Sequence, residues 1–318
     1  MSRSIVLGLV GDSGTGKTTL ARGLVRVLGA EHVSLISGDD YHRYERARRA
    51  ELGVTPLDPA ANHLDILAQH LTHLRRAEPV MKPVYDHARG VFAPAVYLRP
   101  ARFLITEGLL NFHTETLRSA HEIRVFLAPQ EELHRAWKVK RDCTRRGYTT
   151  SEVLAEIDRR QDDARSYVVP QRDHADIVIA FRADAALGLD DLDVDVILRD
   201  TLPHPDLSGL IDGMPGGPTL LEREHESLVR IPGDLDPEHA AALEESIWDR
   251  MSFASHLPIR RLGEYTVGTD LRRSDSLALV QLILLYHLVR ARATINTGGE
   301  PLRSAPRDST GADSALHH

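Results

Sequence analysis

The sequence predicts an α/β fold with a doubly wound, mostly parallel sheet. Short apolar runs rich in Val, Ile and Leu have the composition of strands buried on both faces. They lie at residues 5–10, 32–37, 103–108, 123–128 and 175–180. Segments with leucine at helical spacing separate several of these runs, and strands that alternate with helices form parallel sheets.

A glycine-rich run, Gly-Asp-Ser-Gly-Thr-Gly-Lys-Thr at residues 11–18, follows the first strand and precedes a predicted helix. A phosphate-binding loop (P-loop) has this order: a strand, the motif G-x-x-x-x-G-K-[ST], and then a helix. Its backbone amides and the helix dipole attract phosphate, Lys17 reaches the β- and γ-phosphates, and the Thr18 hydroxyl binds Mg²⁺. A turn that binds nothing is the alternative, which the flanking elements disfavour. The predicted nucleotide contacts are Gly11, Ser13, Gly14, Thr15, Gly16, Lys17, Thr18 and Thr19.

The other elements before residue 185 follow from periodicity. Predicted helices lie at residues 62–75, 130–141 and 151–165, and an extended stretch at 80–87. The polar, arginine-rich segment that ends near residue 59 has too little apolar periodicity for a core helix. We predict that it is a mobile loop near the site.

The pattern changes after about residue 185. Residues 192–198 alternate as a half-exposed strand, and short strands are predicted at 227–231 and 265–267. A helix is predicted from Pro237, with Asp236 as its cap, and a long apolar helix over residues 274–292. Polar composition predicts a disordered tail at residues 294–318.

Composition and charge exclude several classes of partner. The net charge of the 318 residues is −7, so we expect no nucleic-acid partner. The longest apolar run, residues 277–289, contains Gln281 and His287 and is too short to span a bilayer, so we expect no membrane partner. The single cysteine, Cys143, excludes an internal disulfide and fits a cytoplasmic location.

Acidic residues end two predicted strands. Glu107 lies at the end of a strand downstream of the loop, where P-loop enzymes place an acid that helps hold Mg²⁺; a solvated or helix-capping group is the alternative. Asp39 and Asp40 end the second strand. A carboxylate there can accept a proton from a hydroxyl that attacks the γ-phosphate, but position alone leaves a helix cap equally open.

A basic cluster ends the helix predicted from residue 130. Lys138, Arg141 and Arg146 form either a solvated face that complements the helix dipole or a lid whose cations close over phosphates. Tyr85 and His87 are two residues apart in an extended stretch, so both side chains point the same way.

Further motifs follow in chain order: Asp-Asp-Tyr-His-Arg at 39–43, Gly-Val-Thr-Pro-Leu-Asp-Pro-Ala-Ala-Asn at 53–62, Lys-Pro-Val-Tyr-Asp-His at 82–87, Glu-Gly-Leu at 107–109, Ala-Trp-Lys-Val-Lys-Arg-Asp at 136–142 and Arg-Gly-Tyr at 146–148. With the phosphate loop, these motifs resemble the phosphoribulokinase/uridine kinase family of P-loop kinases. The loop and the Lys-Pro-x-Tyr-x-His stretch are shared with uridine kinases. The Gly-Val-Thr-x-Leu-Asp-Pro run and the Trp-Lys-x-x-Arg-Asp segment are more similar to phosphoribulokinases.

The resemblance extends from about residue 4 to 180 and continues more weakly to about residue 292. It implies a P-loop kinase core at residues 1–185, a C-terminal extension with added strands and a terminal helix at 186–293, and the tail. It also implies a cytoplasmic homodimer.

The implied reaction is the MgATP-dependent phosphorylation of the 1-hydroxyl of ribulose 5-phosphate, a Calvin-cycle reaction, with ATP and Mg²⁺ as cofactors. Asp39 is then the general base, assisted by Lys17, Lys138 and Arg141. Arg146 also contacts ATP. The implied metal ligands are Thr18, Glu107 and Asp142. The implied contacts with the sugar phosphate are His42, Arg46, Arg49, Tyr85, His87, Arg141 and Arg146.

Two alternatives stay open. A related kinase of the same fold could act on another sugar phosphate or on a nucleoside; a nucleoside has no phosphate for Arg46, Arg141 and Arg146 to bind. A nucleotide-dependent regulatory protein would have no use for Asp39 and Glu107, and the Asn-Lys pair typical of GTP switches does not occur in the sequence.

Overall fold

The computed structural model describes residues 3–183, 192–211, 216–251, 261–267 and 270–300. The strands of this part of the chain are β1 (Ile5–Val10), β2 (Val33–Ser37), β3 (Val80–Asp86), β4 (Val91–Leu98), β5 (Phe103–Gly108), β6 (Ile123–Leu127), β7 (Ile177–Ala183), β8 (Leu192–Arg199), β9 (Thr219–Glu222), β10 (Glu226–Ile231), β11 (Glu264–Val267) and β12 (Asp270–Arg273). Its α-helices are α1 (Lys17–Leu28), α2 (Arg46–Leu52), α3 (Leu64–Arg75), α4 (Glu115–Ser119), α5 (Glu131–Arg146), α6 (Thr150–Arg159), α7 (Gln161–Asp163), α8 (Ser208–Ile211), α9 (Pro237–Asp249) and α10 (Asp275–Asn296).

Eight strands form the central sheet in the order β2-β5-β1-β6-β7-β8-β10-β9. The strands from β2 to β7 in this order pair in parallel, whereas β8, β10 and β9 continue the sheet antiparallel. The predicted α/β class with a mostly parallel sheet is therefore confirmed. Because Ser37 of β2 pairs with Glu107 of β5, and Val10 of β1 with Gly108, the carboxyl ends of these strands meet at one edge. That edge carries the phosphate loop and the acidic residues.

Helices cover both faces of the sheet. On one face α1, α9 and α10 share a continuous apolar core with β1, β6 and β7, in which Leu24 of α1 and Leu282 of α10 are fully buried. On the other face α3 packs Leu67 and Leu71 against β1 and β5 residues. The C-terminal helix thus contacts the same sheet and the same α1 that carry the phosphate loop.

Helix α10 is longer than the sequence predicted. It has 22 residues and, by length and composition alone, could cross a membrane, but 67% of its apolar window is buried inside the protein, as in a core helix. It ends at Asn296, so the predicted start of the tail at residue 294 is too early. Residues 301–318 lie outside the described residues, and the division into core, extension and tail stays a prediction.

Several other local predictions differ from the structure. The segment predicted as a loop contains helix α2, whose only buried residue is Arg49, so it lacks the apolar stripe that signals a core helix. The helix predicted over residues 151–165 is α6 followed by α7 and a π-helical turn, Ala164–Val168. Strand β4, which completes a hairpin with β3, was not predicted: its residues are apolar or aromatic around Pro94, but most of its side chains are exposed.

Candidate active site

The phosphate loop owes its shape to its glycines. Gly14 and Gly16 have φ angles of 97° and 95°, in the left-handed region that glycine adopts without strain. A Cβ atom on Gly14 would lie 3.2 Å from the Lys138 Cβ, so the glycine also lets α5 approach the loop. The Thr15 hydroxyl closes the loop by donating to the Asp12 carbonyl at 2.9 Å.

Lys17 lies inside this loop. Its Nζ donates to the carbonyl oxygens of Gly11 at 2.8 Å and Asp12 at 2.7 Å. Burial lowers the pKa of Lys17, and the nearby carboxylates of Glu107 and Asp39 oppose that shift. The ammonium is therefore placed between the loop and the acidic strand ends.

The Thr18 hydroxyl donates to Glu107 Oε2 at 3.2 Å, which places two oxygen groups side by side at the start of α1. Burial raises the pKa of Glu107, while Lys17 lowers it. Hydroxyl and carboxylate oxygens suit Mg²⁺, which takes few protein ligands beside phosphates and water. Among the described residues no group of three or more His, Cys, Asp or Glu side chains is arranged to hold a metal ion.

The consecutive residues Asp39 and Asp40 have different environments. Asp40 is buried: its Oδ2 accepts from Lys82 Nζ and its Oδ1 accepts from the Tyr85 amide at 2.8 Å. Asp39 is half-buried, and its Oδ2 lies 4.0 Å from His87 Nε2. Asp40 therefore attaches the hairpin of β3 and β4 to the end of β2, and Asp39 keeps its carboxylate in the site.

The pKa of Asp39 reflects opposing effects. Burial alone would raise it, but electrostatic interactions with His42, His87, Lys17 and Arg141 outweigh burial and hold the pKa below its ordinary value. The carboxylate is therefore ionised at neutral pH and can accept a proton.

Tyr85 forms the centre of one wall of the site. Its ring contacts His42 and His87 edge to face, with centroids 4.9 and 5.2 Å away. The buried Arg49 donates to the Tyr85 hydroxyl at 3.0 Å, and its guanidinium carbon lies 5.3 Å from the ring centroid. The structure thus brings together four of the predicted substrate residues.

His42 is oriented by the last residue of the Gly-Val-Thr-Pro-Leu-Asp-Pro-Ala-Ala-Asn motif. Asn62 Nδ2 donates to the carbonyls of Pro56 at 3.1 Å and Asp58 at 2.8 Å, so Asn62 Oδ1 faces His42 Nδ1 at 2.8 Å. Burial lowers the pKa of His42, so the neutral ring donates through Nδ1 and leaves Nε2 as an acceptor.

The cations of α5 reach back to the phosphate loop. Arg141 donates through Nε and Nη2 to the two oxygens of Asp142, at 2.8 and 3.1 Å, and Nη2 also contacts Ser13 Oγ at 3.1 Å. Arg146 Nη1 lies 3.2 Å from Asp142 Oδ1. Burial lowers the pKa of Lys138 to about 8. The Asp142 carboxylate thus faces guanidinium groups, which is not the environment expected of a metal ligand.

Arg46 joins this cluster from α2. Its guanidinium donates to the His87 carbonyl, and its amide donates to Gly90 O at 2.9 Å. The pKa of Arg146 is lowered by burial and also by the charges of Arg141 and Arg46, so the three guanidinium groups lie within electrostatic reach of one another. Thr19, by contrast, is exposed on the first turn of α1.

Two further side chains near the loop were not predicted from the sequence. His134 contacts the Ser13 carbonyl at 2.9 Å; it precedes Lys138 by one helical turn, and that spacing could have found it. Arg160 lies close enough to Asp12 and Lys138 to interact with their charges, and its buried Nε has no hydrogen-bond partner among the described residues. No local pattern distinguishes Arg160 from its neighbours.

The described geometry agrees with the comparisons to known proteins. The model of the Phosphoribulokinase / Uridine kinase family matches residues 6–187. This chain belongs to that family. The resemblance predicted from the motifs is therefore confirmed, and all predicted site residues lie within the matched part of the chain. Residues beyond 187, including most of the C-terminal extension, lie outside the family match.

Individual family members support the same assignment. The chain is 37% identical over 179 residues to a phosphoribulokinase of Synechocystis sp., covering 56% of this chain and 54% of that protein. It is 32% identical over 196 residues to a chloroplastic phosphoribulokinase of Triticum aestivum, covering 56% and 48%. The matches thus span about half the length of these relatives. A solved phosphoribulokinase from Rhodobacter spheroides has the same fold, with a TM-score of 0.57 and 21% identity over 80% of this chain and 99% of that one.

Proposed function

We propose that the protein transfers the γ-phosphoryl group of ATP to the 1-hydroxyl of ribulose 5-phosphate, giving ribulose 1,5-bisphosphate. The names of the relatives support this acceptor, and so does the site. A P-loop, a deprotonated aspartate and a group of arginines converge at one edge of the sheet. Each of these parts has a distinct role in the proposed reaction.

Asp39 is proposed as the general base. Its ionised carboxylate lies near Lys17 of the phosphate loop on one side and His87 of the hairpin on the other. An acceptor hydroxyl bound between these two regions would be within reach of both the carboxylate and the transferred group. Phosphoryl transfer depends mainly on such positioning and on stabilising charge.

The arginine group carries the choice of acceptor class. Arg46, Arg141 and Arg146 lie within electrostatic reach of one another, and Asp142 pairs with the latter two. Because the single Asp142 carboxylate offsets only one of the three positive charges, a further anion bound among them would be stabilising. A phosphorylated sugar supplies that anion, and a nucleoside does not. This is the observation on which the proposed sugar-phosphate acceptor rests.

The residues present fit MgATP. Lys17 and the loop amides would hold the phosphates, and Thr18 and Glu107 would hold the metal, directly or through water. Bound MgATP supplies the phosphoryl group and neutralises part of its charge. Asp142 is better suited to hold Arg141 and Arg146 in place than to bind the metal, and we propose that positioning role for it.

The test is an ADP-release screen of purified protein with MgATP and a panel of acceptors. Ribulose 5-phosphate should give the highest kcat/KM, and phosphorus NMR should identify the product as a 1,5-bisphosphate. Free ribulose and uridine should be poor acceptors, because neither fills the arginine group. Preference for uridine or for free ribulose would overturn the proposed function. Preference for another phosphorylated sugar would keep the class and change the substrate.

The proposal extends to the assembly and the pathway. We propose a cytoplasmic homodimer whose product serves the Calvin cycle. Light scattering in solution should give twice the mass of the chain. A strain that lacks phosphoribulokinase should regain ribulose 1,5-bisphosphate synthesis when it expresses this chain.

A further inference from the structure

Asn111 is a buried polar residue in the loop that follows β5, and none of the roles proposed above uses it. Its side chain is 1% exposed. Its Oδ1 has no hydrogen-bond partner among the described residues. A buried amide oxygen without a donor is unfavourable, so its retention calls for an explanation.

The oxygen lies against two glycines that adjoin the reactive acids. A Cβ atom built on Gly38 would lie 2.6 Å from Asn111 Oδ1, and one built on Gly108 would lie 2.5 Å from it. Since Ser37 pairs with Glu107, Gly38 and Gly108 leave neighbouring parallel strands side by side. The Asn111 oxygen therefore sits where both glycines lack a side chain.

A chain of hydrogen bonds fixes which end of the amide faces the glycines. His121 Nδ1 must donate to the Leu117 carbonyl, 2.7 Å away, because a carbonyl only accepts. Burial lowers the pKa of His121 to about 4, so the neutral ring accepts at Nε2 from the Thr106 hydroxyl at 2.8 Å. The Thr106 oxygen in turn accepts from Asn111 Nδ2 at 3.1 Å. With Nδ2 committed to Thr106, Oδ1 is directed at the glycines.

The two residues that adjoin these glycines carry the chemistry of the site. Asp39 follows Gly38, and Glu107 precedes Gly108. Both carboxylates act on Lys17, and the charge of Asp39 also raises the pKa of Glu107, so the two acids are close enough to affect each other's ionisation. A change in the separation of the strand ends would alter both the position and the basicity of Asp39.

We propose that Asn111 is a positioning residue for phosphoryl transfer, whose amide oxygen fixes the separation of the strand ends that carry Asp39 and Glu107. The reading of the two acids as base and metal ligand rests on the proposed function. Asn111 touches neither substrate; it acts by filling the space between Gly38 and Gly108. The neighbouring Thr106 and His121 keep the oxygen directed at that space.

The test compares Asn111→Ala with the wild type and with Ser4→Ala. Removal of the amide lets the strand ends approach each other. A displacement of about 1 Å in an active site can lower the rate by up to about 100-fold, so kcat should fall roughly 10- to 100-fold, with little change in KM for ATP. Because the carboxylates come closer, the acid limb of the pH profile of kcat should move to higher pH. Ser4→Ala is the matched control: Ser4 is buried at the opposite edge of the sheet and donates to the carbonyls of Leu74 and Ala101. It should lower thermal stability but leave kcat and the pH profile unchanged.

A second variant separates positioning from simple damage. Asn111→Asp keeps an oxygen against the glycines, and its neutral carboxyl can still donate to Thr106. Its kcat relative to the wild type should be high at low pH and fall as the new carboxyl ionises beside Asp39 and Glu107. A pH-independent loss in Asn111→Asp would contradict a role that depends on this oxygen.

A measurement without an acceptor keeps this inference distinct from the proposed function. In folded protein labelled with ¹³C at aspartate, NMR titration should show a higher pKa for Asp39 in Asn111→Ala than in the wild type. An unchanged Asp39 titration in a folded variant would overturn the positioning role, whatever the substrate is. If the titration shifts but ribulose 5-phosphate is not phosphorylated, the proposed substrate fails and the positioning role stands.

Discussion

The catalytic edge of the sheet and the C-terminal extension both bury polar side chains, but the edge concentrates ionisable groups. In the described part of the extension one buried carboxyl, Glu244, pairs with Arg273, and the other buried polar side chains are neutral. At the edge, Asp39 and Asp142 are ionised beside basic side chains, and Lys17 lies near the carboxylates of Glu107 and Asp39. In the extension, Gln281 accepts from the Gly263 amide at 2.9 Å, and His287 contacts His204 at 3.1 Å as a neutral ring.

This difference indicates which residues act on a ligand. Burying a charge is unfavourable, and a buried ion pair is often no more stabilising than apolar packing. Charges at the edge fit the proposed function, in which they act on an anion and its metal. Neutral polar groups in the extension serve packing and orientation. Substitutions at the edge should therefore reduce turnover more than stability, and substitutions in the extension should do the reverse.

The largest loss of turnover is expected for Lys17→Met, which removes the ammonium from the loop. Turnover should fall on the order of 10³-fold or more, because the charge that develops on the transferred group loses its cation. Some stability should also be lost, because the carboxylates of Glu107 and Asp39 lose a nearby cation, but the protein should stay folded. Steady-state kinetics and a melting curve measure both. Lys140→Met, on the exposed face of α5, is the control and should retain normal turnover.

The next largest effect separates the consecutive acids. Asp39→Asn keeps the shape of the side chain but cannot accept a proton, so turnover should fall about 10²- to 10⁴-fold with nucleotide binding intact. Asp40→Asn should lose less turnover and more stability, because the buried Lys82 ammonium loses its counter-ion. Rate measurements and denaturant titrations on both variants give the comparison. If Asp40→Asn lowered turnover more than Asp39→Asn while both variants stayed folded, the assignment of Asp39 as the base would be wrong.

These two acids also show how far the sequence could predict the site. The end of β2 follows from an apolar run, so a carboxylate near the phosphate loop could be predicted. The choice between Asp39 and Asp40 came from the family resemblance and not from the local pattern. The physical reason for that choice, the pair between Asp40 and Lys82, joins residues 42 positions apart and exists only once the hairpin has folded onto β2.

The fold shows the same limit. Buried strands such as β1 and β5 were predicted because each contains a run of consecutive apolar residues, whereas the exposed helix α2 has no apolar stripe. Strand β4 consists of apolar and aromatic residues around Pro94, but most of its side chains are exposed, and the sequence analysis did not predict it. The contact that orients His42 through Asn62 joins residues 20 positions apart and is likewise a property of tertiary structure. The contacts of Asp142 with Arg141 and Arg146, by contrast, lie within α5 at neighbouring and i,i+4 positions, a spacing that the sequence already shows.

A smaller effect, confined to one substrate, is expected for Arg46→Ala. Loss of one cation from the arginine group should raise KM for ribulose 5-phosphate roughly tenfold, the scale of one charge-assisted hydrogen bond, and leave KM for ATP nearly unchanged. Arg48→Ala, an exposed position on the same helix paired with Glu51, should change neither constant. Equal increases in both KM values would place Arg46 on the ATP side of the site.

The smallest effect on turnover, with a clear effect on stability, is expected in the extension. Burial, together with His204 and Arg290, lowers the pKa of His287 to about 3 from the ordinary 6.5. Below pH 6.5 the unfolded chain therefore binds a proton that the folded chain excludes. The free energy of unfolding falls as the pH decreases from 6.5 toward 3, and the loss at pH 5 is about 2 kcal/mol. His287→Leu should remove that part of the pH dependence in urea titrations at pH 7 and 5, with kcat at pH 7 unchanged. If the stability of His287→Leu kept the wild-type pH dependence, or if its kcat fell strongly, the expected division between an edge that determines turnover and an extension that determines stability would be wrong.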